Sequence, residues 1–127
     1  YYANLITDAL IPYLRASGIN FVRNDPGGTV NDSVNSSNSG NYDLHLAIHS
    51  NAAPERLSGA LKGPDVYYYR DSTEGKRAAE IIANNLKIIY PDPSLVTTNW
   101  IKDNGEAIGR NLALSVADFL GVPFIEP

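Results

Sequence analysis

The sequence predicts an α/β domain, an open and mostly parallel sheet flanked by helices. Helical periodicity at both ends of the chain brackets short runs rich in β-formers, and turn residues separate each run from the next. Helices alternating with buried strands pack best as a layered sheet with right-handed crossovers, and functional loops then gather at the carboxyl ends of the strands. At 127 residues the chain is expected to form a single domain over residues 1–127, burying roughly two thirds of the surface its unfolded form exposes.

Tyr2, Leu5, Ile6, Ala9, Leu10, Tyr13 and Leu14 recur at helical spacing, and Gly18 stands where a left-handed cap would end the helix, so a first helix is expected over 2–17. Pro12 lies inside it, where the missing N–H and the ring's bulk predict a kink or an early stop. Residues 19–23, Ile-Asn-Phe-Val-Arg, alternate apolar and polar positions as an inner strand would. Residues 24–41 are dominated by Asn, Ser and Gly and read as a long loop. Residues 44–48 form a short apolar run, and residues 65–70 are dense in tyrosine and valine, so both read as strands.

Asp71 is positioned to cap a helix with Glu74 reaching back, and Ala78, Ala79, Ile81, Ile82, Leu86 and Ile89 supply its buried stripe up to Pro91. Asn99 opens a last helix, lined by Trp100, Ile101, Ile108, Leu112, Val116, Phe119 and Leu120 and ended by Gly121. No strand is expected between these two helices, where only Pro91 to Thr98 stands, and such a direct helix-to-helix passage is an anomaly in an α/β sheet.

Composition excludes several classes of function. The net charge of −4 with scattered basic residues offers nothing to a phosphate backbone, so no nucleic-acid partner is expected. No apolar run is long enough for a membrane span. The absence of cysteine removes disulfides and thiol catalysis, and leaves the compartment open. Tyr1 is not an initiator Met, so the sequence is expected to begin inside a longer gene product.

Without cysteine, a bound transition metal needs imidazole and carboxylate donors, and the only imidazoles are His45 and His49. On a strand, four residues span about 13 Å, so the two rings cannot share one ion whose bonds are each about 2 Å long. His49 at the strand end is therefore either one ligand of a metal or a hydrogen-bonded structural histidine; spacing alone leaves both open.

The stretch Leu46-Ala47-Ile48-His49-Ser50-Asn51-Ala52, with Gly59-Ala60 and Val66-Tyr67-Tyr68-Tyr69 after it, resembles the zinc-dependent N-acetylmuramoyl-L-alanine amidases. The helix before Gly18 with Phe21-Val22-Arg23 is similar to that family's first helix and second strand, and Trp100 to Phe124 to its terminal helix and tail. The resemblance implies a zinc amidase or zinc exopeptidase-like fold, Zn2+ as cofactor with His49 as a ligand, and a peptidoglycan or muropeptide substrate. It also implies hydrolysis of the amide between N-acetylmuramic acid and L-alanine, in an extracellular, cell-envelope or spore-associated setting, as an autolysin would act.

In that family an early histidine and a glutamate complete the ligand set, and these would precede Tyr1. A second glutamate, which acts on the metal-bound water, would belong between the helix ending near Tyr90 and Asn99, where none is present. Glu126 is the remaining candidate for this role, displaced beyond the last helix. Asn51 could donate to a substrate carbonyl, and Glu55 could contact the substrate at the rim. Two alternatives accompany this reading: a copy of the fold that binds peptidoglycan or protein without hydrolysing it, and a related zinc exopeptidase. The Tyr67–Tyr69 run is expected to pack in the sheet rather than to serve as a sugar-stacking platform. Asp92 and Asp103 read as ordinary cap or turn residues.

Overall fold

The computed structural model describes residues 2–23, 42–48, 66–92 and 95–127. Every regular element among them is a helix: α1 Tyr2–Ala16, α2 Thr73–Ile89, α3 Thr98–Asp103 and α4 Gly105–Leu120. The expected open parallel sheet is overturned, since the described residues contain no strand. None of the helices is long and apolar enough to cross a membrane.

The strand segments fail for an identifiable reason. Alternation reports only that one side of a segment is buried, whereas a strand also needs a neighbour for its N–H and C=O groups. Some of these side chains do pack on the helices: Leu44, Leu46 and Ile48 turn toward the core while Asp43, His45 and Ala47 are exposed, and Ile19, Phe21 and Val66 also pack against the helices. The pairing is not met within 19–23, 42–48 or 66–70. Among the described residues, the passage from α2 to α3 contains no strand, and Val96 is its one buried residue.

Helix α4 is the centre of the molecule. It packs against α1 and against α2, and it is buried on most of its circumference, with Ala117 and Ser115 fully inaccessible. Ile6, Leu10 and Leu14 from α1 and Ile82 and Leu86 from α2 close over Ile108, Leu112, Ala113 and Val116. The stripe on α2 follows the 3.6-residue period, which is how a helix covered on one side and wet on the other is encoded.

The ends of the helices depend on particular residues. At the end of α1, Gly18 donates to the Arg15 carbonyl at 3.1 Å and Ile19 to the Leu14 carbonyl at 3.0 Å. Gly121 and Val122 make the equivalent pair with Asp118 and Ala117 at the end of α4. This double bond pattern requires the left-handed conformation, and the two glycines adopt it at φ 71° and 72°.

Pro12 does not stop α1, which runs on through it to Ala16. Both Pro12 and Asp8, whose carbonyl the ring cannot serve, lie on a side of the helix where solvent is available to that carbonyl. At α2 the cap is Ser72 rather than Asp71, its Oγ accepting from the Gly75 N–H at 2.9 Å, and Glu74 pairs with Arg77 at 2.9 Å instead of reaching back. The last helix begins at a Thr97 cap and is broken in two. Asn104 takes the Trp100 carbonyl with both its backbone N–H at 2.9 Å and its side-chain amide at 2.8 Å, which ends α3 and lets α4 start in a new direction.

Candidate functional site

His49, Asn51 and Glu55, which carry the expected site, lie outside the described residues. The run leading to them is described. Leu44, Leu46 and Ile48 are half-buried against the helical core, which anchors this run, and His45 faces solvent between them. The argument that a strand's rise holds His45 and His49 too far apart to share one ion loses its premise, because 44–48 is not a strand.

Glu126 lies on the tail beyond α4 and is exposed, with its carboxylate paired to the Arg110 guanidinium. Among the described residues no three of His, Cys, Asp and Glu come together as a group able to hold a metal ion. The donors described therefore do not constitute a zinc site by themselves.

Tyr67, Tyr68 and Tyr69 are 79%, 45% and 72% exposed, so the expectation that they pack in a sheet is overturned; their neighbour Val66 alone turns inward. An open recess of about 310 Å3 lies beside the end of α1, lined by Arg15, Gly18, Ile19, Asn20 and Phe21. The Arg15 guanidinium sits 5.5 Å from the centre of the Phe21 ring, which supplies a cation–π contact. Across α1, Arg23 bonds to Asp8 at 2.6 Å.

Two polar clusters were not foreseen from the sequence. Between α2 and α4, the Asn85 amide donates to Ser115 Oγ at 2.9 Å, Ser115 Oγ donates to the Asn111 carbonyl at 3.2 Å, and the Asn111 amide donates to the Asn85 carbonyl at 3.0 Å. Asn111 and Ser115 stand four residues apart inside an otherwise apolar stripe, and that misplaced polarity was the available signal.

At the other cluster, the Tyr13 hydroxyl donates to Glu106 at 2.8 Å. That bond to Glu106 is the main reason the Tyr13 phenol is held above its ordinary pKa; desolvation and the charges of Glu106 and Glu126 add to it, while Arg110 opposes it. Tyr90 is also raised, by burial. A raised folded-state value means that the stabilisation from protonated Tyr13 is complete below about pH 10 and is lost as pH climbs through the folded value. Tyr13→Phe should therefore flatten the fall in denaturation midpoint between pH 9 and 11, and an unchanged slope would show that the Glu106 bond contributes nothing.

No protein-family model matches the chain, and no curated protein or solved structure matches it either.

Proposed function

We propose that this chain belongs to a zinc-dependent hydrolase that cleaves the amide between N-acetylmuramic acid and L-alanine in peptidoglycan. The observation that carries the reading is the His49-Ser50-Asn51-Ala52 segment, placed directly after a run whose Leu44, Leu46 and Ile48 are anchored on the core. Zinc, when bound, would lower the pKa of a coordinated water toward neutrality and polarise the scissile carbonyl. His49 is assigned one ligand position. Asn51 is assigned a hydrogen bond to the substrate carbonyl, and Glu55 a contact at the rim. Glu126 can serve as the proton-accepting carboxylate only if Arg110 releases it. The setting is extracellular, at the cell envelope or on the spore.

The test is metal analysis of the purified chain after zinc loading, together with release of stem peptides from purified peptidoglycan. About one zinc per chain, peptide release, and joint loss of both in His49→Ala are expected. Zinc binding with release of amino acids from free peptides alone would replace the amidase by an exopeptidase.

A second reading rests on the sequence, since the family's second glutamate has no counterpart between Tyr90 and Asn99. A copy of the domain that binds peptidoglycan without hydrolysing it would sediment with sacculi, take up no zinc and release nothing.

A further inference from the structure

The tail beyond α4 is held by side chains from two helices, and by contacts of three different kinds. The Phe124 ring stacks on Tyr13 of α1, with centroids 5.9 Å apart and planes inclined by 16°, while the Arg110 guanidinium of α4 lies 5.3 Å from the same ring centre. Ser17, just past α1, reads the backbone: its Oγ accepts from the Ile125 N–H at 2.9 Å and donates to the Ile125 carbonyl at 3.2 Å. Arg110 then pairs with the Glu126 carboxylate. These three residues leave the Ile125 side chain half exposed, so its identity is not read.

Ring, backbone amide and carboxylate are thus recognised in that order, by residues that belong to the helical body. We propose that Tyr13, Ser17 and Arg110 form a docking groove for a peptide segment of the pattern aromatic–any–acidic, filled in cis by Phe124-Ile125-Glu126, and that this tail opens and closes as a unit while α1 and α4 stay folded. The contacts are at the surface, where each exposed ion pair or ring contact is individually weak, and their joint geometry supplies the selectivity. Val122 and Pro123 connect the latch to the Gly121 cap, which holds the end of α4 by its own hydrogen bonds and so does not depend on the tail.

Native-state hydrogen exchange on the full chain separates a latch from an ordinary part of the fold. The Ile125 amide should exchange more slowly than an unprotected amide, yet faster than those of Leu112 and Val116 in α4. Ser17→Ala should speed Ile125 by about tenfold or more and leave Leu112 and Val116 within about twofold. Arg110→Gln, which touches neither polar atom of Ile125, should speed it as well, because the unit opens together. If Arg110→Gln leaves Ile125 unchanged, or if the α4 amides accelerate by the same factor as Ile125, the latch is refuted. The recognition part has its own arm: full-length Phe124→Ala titrated with the peptide Val-Pro-Phe-Ile-Glu-Pro should show saturable shifts at Tyr13 and Ser17, and the same peptide with alanine in place of phenylalanine should not. Absence of shifts at millimolar peptide, the order of a short tether's effective concentration, would overturn the groove.

Discussion

Gly109→Ala should lower the stability of the chain by about 1–3 kcal/mol, the usual cost of overpacking a tight core. The reason lies in the crossing of α4 over α1. A Cβ at Gly109 would stand 2.7 Å from the Ala9 Cβ, 2.9 Å from the Leu10 backbone nitrogen and 3.0 Å from the Ala9 carbonyl carbon. Two of these three atoms are backbone, so relief requires the helices themselves to part, and Ile6, Leu10 and Leu14 would move with α1 away from Ile108 and Leu112. Alanine's better helix propensity returns at most about 1 kcal/mol, less than the clash costs. Gly105→Ala is the control. There the contacts at 3.1 Å are the Cγ and Cδ2 of the Leu5 side chain, which can turn aside, so the change should be small and of either sign. Urea denaturation of both variants decides the matter: equal midpoints would mean that the close crossing at Gly109 does not exist in solution.

The same crossing shows what the sequence made legible. Gly105, Gly109, Ala113 and Ala117 recur every four residues along α4 and form a ridge low enough for another helix to approach closely. That ridge was not among the expectations, although its spacing stands in the sequence; the glycine caps at Gly18 and Gly121 and the stripe Ala78, Ala79, Ile82, Leu86 were, because each is a local rule about backbone conformation or about one buried face. The sheet was misread for the converse reason. The apolar run at 44–48 does supply side chains to the core, Leu44, Leu46 and Ile48, but strand pairing is a non-local property that no single segment encodes. The break at Asn104 escaped because apolar spacing runs on from Ile101 to Ile108 as though one helix continued, while the side-chain bond to the Trp100 carbonyl that interrupts it leaves no trace in periodicity. Of the expected site, the anchoring of the run before His49 is seen, and Glu126 is found engaged with Arg110. His49, Asn51 and Glu55 fall outside the described residues.

Asn111→Asp should be the more damaging substitution, by several kcal/mol at neutral pH, the order of the penalty for an unpaired buried ion. Asn111 is only 7% exposed, and its amide nitrogen donates to the Asn85 carbonyl at 3.0 Å. Its Oδ1 is buried with no hydrogen-bond partner, so the site already carries one unsatisfied acceptor. A carboxylate there would replace the donor by a second acceptor, set it against the Asn85 carbonyl, and bury a charge. Because desolvation disfavours the charged form, the folded-state pKa of the introduced acid would rise above its unfolded value of about 3.9. Below that unfolded value both states hold the proton, and a neutral acid can still donate to the Asn85 carbonyl, so the variant should approach wild type. Between the unfolded and folded values only the folded state holds the proton, and stability should fall by up to about 1.4 kcal/mol per pH unit until the folded group also ionises. Asn111→Leu separates charge from shape: it removes the orphaned oxygen together with the donor, and should remain within about 1.5 kcal/mol of wild type at every pH. Denaturation midpoints for the two variants from pH 3 to 8 should diverge as pH rises. Parallel curves would mean that water reaches this position between α2 and α4, and that the Asn85, Ser115 and Asn111 network is a wet surface feature rather than part of the packed interface.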